Sequence, residues 1–494
     1  MLADDRRMAG VVGDTLPREE RLVLVRELRE QNASLTRRVA RLEQALAATQ
    51  VELTAARTEL AAARKNSSTS SKPPSSDITT PPPSGKPKKS KRRIGGQPGH
   101  PKHQRPPFPP DRVDRVHDHK LDACPDCGGR LRPAPRAPRV LQQVEIVARP
   151  LRIDEHRGHA YWCRRCQRLH IAPLPPEVEA AGLLGPRLTA LAAYLKSACH
   201  ASFSTLRRFF GEVLGLSLSR GYLAKVIRKV GRILQAPYDD LLRRLPRQKG
   251  LNVDETGHKE NGKRPWTWCF RAEDFAVFKI ADSRGSDVLH EMVTADFRGV
   301  LSCDYFSAYR KFMRQTGVRV QFCMAHLIRD VKFLTTLPDR ATETYGGILL
   351  MLLRDLFALL HRRDRMNPTT WQNALHRKRD AILAMATYRV PPTAQARAMA
   401  QRFRRHGPAY FEFIDAPGLA PANNAAEQTI RFVVIDRHVT QGTRGPAGRA
   451  WCERIWTVLA TCAQQGRPVF DYLVDTLDAA FTQHPAPSLL LKPD

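Results

Sequence analysis

The chain lacks any long apolar run. Its most membrane-like stretch, Ile348 to Leu360, is short and is broken by Arg354 and Asp355, so it does not read as a spanning helix. The first twenty residues are charged and hold no apolar segment of the kind that heads a secretory signal. Acidic residues are scarce: 49 Asp+Glu stand against 80 Lys+Arg, a formal net charge of +31. That balance disfavours cationic partners and favours polyanions, drawing DNA or RNA by salt-sensitive association. A hydrophobic content of 42% suits a folded, soluble enzyme better than a ribosomal or membrane-surface protein. The ten cysteines comprise two CxxC pairs and six scattered residues, which implies a metal site in a reducing cytoplasm and excludes a disulfide framework. The expected location is cytoplasmic, in association with the nucleoid.

At 494 residues the chain exceeds what one core accommodates, and several domains are expected. After a flexible stretch over 1–20, residues 21–64 alternate apolar positions in steps of three and four. One seam carries Val25, Asn32, Val39, Leu46, Leu53 and Leu60; the other carries Leu28, Leu35, Leu42, Thr49, Ala56 and Ala63. Val on one seam and Leu on the other favour a parallel two-stranded coil, whose register a seam Asn sets. Arg38 would then face Glu43 of a second copy, and Glu52 its Arg57. The alternative is a long amphipathic helix packed on its own chain.

Residues 65–118 turn abruptly rich in Pro, Ser, Thr and basic residues and read as a tether, too poor in apolar surface to fold alone. Lys88, Lys89, Arg92 and Arg93 either track a phosphate backbone or keep the tether soluble. Over 119–170, Cys124-Pro-Asp-Cys127 and Cys163-Arg-Arg-Cys166 supply four thiolates for one closed, structural Zn²⁺ site. VEIVARPLRI and HAYWC between them alternate like the two strands of a zinc ribbon. Residues 171–245 read as helical, with a helix-turn-helix pattern broken at Gly215. Its second segment offers Arg220, Lys225 and Arg228 to a groove or to phosphates, although such helical pairs also occur in ordinary cores.

From Gly250 the pattern becomes strand-rich. LNVDET, PWTWCF, AVFKIA, GVLSCD and VRVQFC make five short strands, three in a meander and two separated by helical stretches. This order fits a mixed five-stranded ribonuclease-H-like sheet over 246–445, in which strands one and four are neighbours. Asp254 and Asp304 then meet, and Glu427 on a later helix closes the group. Two Mg²⁺ (or Mn²⁺) ions roughly 4 Å apart, held by such carboxylates, activate an attacking oxygen and stabilise a leaving one. Asp254 would bridge both ions, with Asp304 on one and Glu427 on the other. Blander roles exist: Asp304 as a helix N-cap, and Asn424-Ala-Ala-Glu427 as a capping box. Arg431, Arg437, Arg444 and Arg449 near the third acid are candidates for DNA phosphates, or else a solvated basic surface. His326, after strand five, is a weaker candidate for contact with the scissile phosphate. An all-helical insertion spans about 339–417, and 446–494 forms a C-terminal helical region.

The succession of zipper, KNSSTSSKPPSSD, GGQPGHP, CPDCGG, VDET, CDYFSAY, CMAHLIRD and NNAAEQTIR resembles the insertion-sequence-66 family of bacterial DDE transposases, from about residue 25 to 475. The resemblance implies a catalytic triad of Asp254, Asp304 and Glu427, a zinc-binding domain on Cys124, Cys127, Cys163 and Cys166, and small accessory proteins. It implies DNA as substrate, at both the element's ends and the target. The chain departs from the pattern at Gln428, where Arg is frequent, and at Asp436-Arg437-His438-Val439-Thr440-Gln441, where Arg-Lys-Asn is frequent. Two rival functions remain at this point: a structure-specific metal-dependent nuclease on the same fold, and a non-catalytic DNA-binding regulator.

Overall fold

The computed structural model describes residues 17–65 and 106–491, apart from 119–121, 124, 129, 131, 133–139, 145, 148, 149, 295 and 417. Lys88, Lys89, Arg92, Arg93 and Cys124 lie outside the described residues.

The first element is a continuous helix of 46 residues, Arg18–Ala63. None of it is buried; Val25, Leu28, Leu35, Val39, Leu42, Leu46, Leu53 and Leu60 all face solvent. Near its C-terminal end Ala61 packs against the main core, and Lys65, just beyond the helix, sets its Nζ 3.6 Å above the Phe333 ring.

A two-stranded antiparallel hairpin follows, β1 (Ala160–Cys163) and β2 (Arg168–Ile171), folded around the Cys163–Cys166 knuckle. This corrects the expected ribbon. Among the described residues VEIVARPLRI forms no strand, and the partner of the HAYWC strand is the RLHI segment beyond the knuckle. A tight turn ending at Gln167, with φ of 50°, returns the chain onto itself, so the nearest extended segment takes the pairing.

The helices Phe203–Glu212 and Arg220–Ile233 pack across a turn at Gly215, where φ is 67°. Ser202 and Ser219 cap them, accepting from the backbone N–H of Thr205 and Tyr222. Leu206, Phe210, Leu218, Leu223 and Val226 close a small core of their own. Ala190, Ile227 and Val230 belong instead to the main core, which runs without a break across residues 245 and 445.

That main core surrounds a five-stranded sheet in the order β5-β4-β3-β6-β7: β3 (Gly250–Gly257), β4 (Trp266–Arg271), β5 (Ala276–Ala281), β6 (Val300–Cys303) and β7 (Arg319–Phe322). The β3–β4–β5 meander is antiparallel, whereas β3, β6 and β7 run parallel. All of β6 is buried, as an apolar strand covered on both faces must be.

Both sheet edges are covered. Along β5, the outward N–H groups of Ala276, Phe278 and Ile280 donate to Thr461, Thr457 and Glu453, spaced one helical turn apart on the helix Pro446–Gln464. The C-terminal helices are thus part of the sheet's own unit. Along β7, Gln321 donates to Tyr410 O and accepts from Phe413 N, which ties down the end of the helical insertion. That insertion comprises the helices Arg340–Leu360, Pro368–Thr387, Ala394–His406 and Glu412–Asp415. Edges closed in this way offer no template for strand addition.

Candidate active site

The parallel pairing of β3 and β6 matches Gly250 with Val300, Leu251 with Leu301 and Asn252 with Ser302. Continuing the same offset by two residues sets Asp254 level with Asp304, at the C-terminal mouth of neighbouring strands. The first and fourth strands of the sheet are therefore adjacent, as the strand order inferred from the sequence required.

Along β3 successive side chains face opposite sides. Asn252 and Asp254 look toward the helix Asn424–Thr440, which carries Glu427 in its first turn. Asn423, just before that helix, fastens it to the strand. Its Nδ2 donates to Val253 O at 2.8 Å, its Oδ1 accepts from Asn252 Nδ2 at 2.9 Å, and its backbone N–H points at Cys323 Sγ at 3.2 Å. Arg271 on β4, opposite Asn252 in register, donates to Ala425 O at 3.1 Å. Asn423 is buried at 2% exposure, so these contacts are shielded from water. No side chain caps the helix, and the capping-box role for Glu427 is not realised. Asp304 does accept from the backbone N–H of Phe306 at 2.8 Å, a turn contact that uses one oxygen and leaves the other.

The three carboxyls share an electrostatic environment. Burial raises Asp254 well above the usual carboxylate range, and the negative charges of Glu255, Asp304 and Glu427 raise it further. Asp304 is raised by burial against the opposing pull of the Phe306 N–H, Arg284 and Arg402. Glu427 is raised by burial and by Asp304, with Arg329 and Arg431 acting the other way. A divalent cation among these oxygens relieves both the burial cost and the repulsion, and hard oxygen donors suit Mg²⁺.

Several residues that build this site carried no signal in the sequence reading. Glu255 faces the opposite side of β3 from Asp254. Arg284 donates to its Oε1 from Nε at 3.0 Å and Nη2 at 2.7 Å, and the Tyr309 hydroxyl donates to its Oε2. Burial pushes Glu255 up to about 7, Asp304 adds to the shift, and Tyr309 and Arg284 oppose it. Arg284 in turn lies over the rings of Trp266 and Phe306, at 4.3 and 3.9 Å. These partners lie far apart in sequence, so only the register reveals them.

His326 stands on the helix Met324–Leu334 with Nδ1 3.5 Å from Glu427 Oε1. Burial, with Arg329 and Arg402 nearby, pushes its pKa down to about 4, so the imidazole is neutral at physiological pH. Arg402 comes from the insertion; its Nη1 donates to Asp330 at 2.7 Å and its guanidinium lies 4.0 Å above the Tyr305 ring.

The basic candidates divide. Arg220, Lys225 and Arg228 are exposed on one face of their helix; Arg431 is exposed one turn after Glu427, whereas Arg444 is exposed beyond the opposite end of that helix. Arg437 is half-buried and donates to Thr256 Oγ1 at 3.2 Å. Arg449 is a correction: its guanidinium is spent on Glu260 and Asp282, each contact at 2.7 Å, so it braces the strand loops and has little left for phosphate. Asp436, in the segment that departs from the familiar pattern, accepts a 2.7 Å hydrogen bond from His200 and so joins the helical region to the third-acid helix. Of the zinc cysteines, Cys127 and Cys166 are exposed, and Cys163 closes β1.

Among the described residues no helix is long and apolar enough to cross a membrane. The chain is 23% identical to the uncharacterized protein y4jD of Sinorhizobium fredii over 401 residues, 74% of this chain and 76% of that one. It is also 23% identical to the uncharacterized protein y4qI of the same organism over 406 residues, covering 74% and 72%. A family of unknown function matches residues 13–106. The zinc-finger binding domain of transposase IS66 matches residues 122–167. The transposase IS66 family itself matches residues 181–450, more than half of the chain, including β3, β6 and the Glu427 helix, and the chain belongs to that family.

Proposed function

We propose that the chain catalyses metal-dependent DNA transposition, with Asp254, Asp304 and Glu427 as the catalytic acids of a ribonuclease-H-like core. The observation that carries this reading is the convergence of three carboxyls from β3, the end of β6 and the first turn of the covering helix, where the charges of Asp304 and Glu427 raise Asp254 and that of Asp304 raises Glu427. Asp254, Asp304 and Glu427 would hold a pair of divalent cations, which would supply Lewis acidity for an in-line displacement at phosphorus. The protein's share is placement. Asn423 and Arg271 hold Glu427 at the strand mouths, and the β3–β6 register aligns the two aspartates. In the first step water attacks the phosphorus at an element end and the 3′-oxygen leaves as a hydroxyl. In the second that hydroxyl attacks a target phosphate, forming one P–O bond as the target's own 3′-oxygen departs.

Around this core we assign a homodimer to the exposed seam of residues 21–64 and one structural Zn²⁺ to Cys124, Cys127, Cys163 and Cys166. DNA contacts go to Arg220, Lys225, Arg228, Arg431 and Arg444, with help from small accessory proteins of the same element. The test is strand transfer by purified protein on DNA carrying the gene's flanking repeats, with Mg²⁺ and any accessory proteins, wild type beside Asp254→Ala. Joined product from wild type alone is expected. Cleavage without joining moves the reading to a nuclease, and metal-independent binding with no chemistry moves it to a regulator.

A further inference from the structure

The ligand-type atoms of Cys323, His326 and Glu427 lie within 4.8 Å of one another. The sulfur has another task. Cys323 is the N-cap of the helix Met324–Leu334, and its Sγ accepts from the backbone N–H of Asn423 at 3.2 Å. The other two atoms have none. His326 is 9% exposed, and neither its Nδ1 nor Glu427 Oε1, both shielded from solvent, has a hydrogen-bond partner. Buried polar atoms left unpaired are uncommon, and here a nitrogen and a carboxylate oxygen, both able to bind a metal ion, face each other. Their separation of 3.5 Å is long for a hydrogen bond. It is close to the roughly 3.0–3.4 Å between two donors that share one ion at about 2.1 Å.

We propose that His326 Nδ1 and Glu427 Oε1 together hold one divalent cation, making the site three carboxylates and an imidazole. This rests on the reading of Glu427 as a metal-binding acid and deepens it. The nitrogen ligand has a chemical consequence. Mg²⁺ prefers oxygen and keeps its waters, whereas an imidazole shifts a site toward transition-metal ions. The ion on Glu427 is therefore the one that favours Mn²⁺ over Mg²⁺. Arg329, whose Nη2 is 3.9 Å from Glu427 Oε2, holds the second oxygen of the same carboxylate in place.

The test is Mn²⁺ binding to full-length, zinc-loaded protein without DNA, read from the paramagnetic resonance signal of free Mn²⁺. Wild type is expected to bind two Mn²⁺ per chain. His326→Ala and Glu427→Gln should each weaken the same one by more than roughly tenfold, and Asp254→Asn should weaken both. His326→Asn returns an oxygen near the place of Nδ1, so it should recover Mn²⁺ binding with a smaller preference over Mg²⁺. Unchanged Mn²⁺ affinity in His326→Ala, beside loss of an ion in Glu427→Gln, overturns the inference and leaves the acid cluster standing. Unchanged affinity in Glu427→Gln and Asp254→Asn overturns the acid cluster as a metal site, and this inference with it. Should His326→Ala fail to fold, His326→Asn decides: an unchanged Mn²⁺-to-Mg²⁺ affinity ratio overturns the proposal.

Discussion

The acid cluster and the N-terminal third are assembled by opposite means. Around Asp254 every support comes from the chain itself: the strand register, the Asn423 clasp and the Arg271 contact all lie within one core. Before residue 181 no described residue belongs to that core's buried set, and a 46-residue helix exposes its whole apolar seam. A carboxylate cluster can be over-determined by packing because its neighbours are covalently present. A seam of Val and Leu, or a pair of thiol knuckles, is complete only when a second copy or a metal ion supplies the missing contacts. The three acids thus stand in a self-sufficient unit, whereas the pairing proposed for the seam and the zinc proposed for the knuckles both draw on what lies outside the chain.

The strongest way to sharpen this contrast is to remove zinc. Cys127→Ser with Cys166→Ser is expected to abolish one Zn²⁺ per chain by atomic absorption and to unfold residues 122–167, a loss of about 10 kcal/mol of metal-coupled folding. The main thermal transition should stay where it is, and a collapse of that transition would mean that finger and core are one unit. Next comes the seam. Leu28→Asp with Leu42→Asp places four charges in a dimer interface and should cost more than about 4 kcal/mol, turning a dimer into a monomer in sedimentation equilibrium. A dimer that persists would place the self-contact elsewhere.

A third variant tests the self-sufficient side. Asn423→Ala leaves Asn252 Nδ2 and Val253 O unpaired and should cost about 2–4 kcal/mol. Displacing Glu427 should also lower strand-transfer kcat by roughly tenfold to a hundredfold with little change in DNA affinity.

The smallest effect is a dependence on pH. Glu255 is raised to about 7, and Asp254, Asp304 and Glu427 are raised in the same direction. A carboxyl raised in the fold holds its proton more tightly there than in the unfolded chain. The stability it confers is therefore full below the ordinary carboxylate range and is lost as pH climbs to about 7, the Glu255 value. A divalent cation held by the cluster, as proposed, would compensate for this loss. Adding Mg²⁺ should raise the core Tm by roughly 2–4 °C at pH 8 and by less at pH 5.5. Equal gains at both values would detach the cluster from metal binding.

Much of this was open to inspection in the amino-acid order. Apolar runs such as LNV and GVLSC announce strands because buried strands need nothing else, and an acid closing each run has little structural motive. Seam periodicity and CxxC spacing are local patterns and are legible for the same reason. The errors and omissions were of another kind. VEIVARPLRI alternates like a strand yet has no strand partner among the described residues, because pairing is decided by the turn that brings a neighbour close. Arg449 looked like any basic residue near an acid until Glu260 and Asp282 met it.

By itself, then, the sequence determined the five strands of the main sheet, the seam, the cysteine knuckles and the positions of the three acids, since each is set by side-chain chemistry over a few residues. Tertiary structure decided what those acids stand among. Asn252 meets Asn423 across 171 positions, and Glu255 meets Tyr309 across 54. Long-range contacts of that sort leave no local trace, because they depend on which strands pair, in what register, and on the helix laid over them.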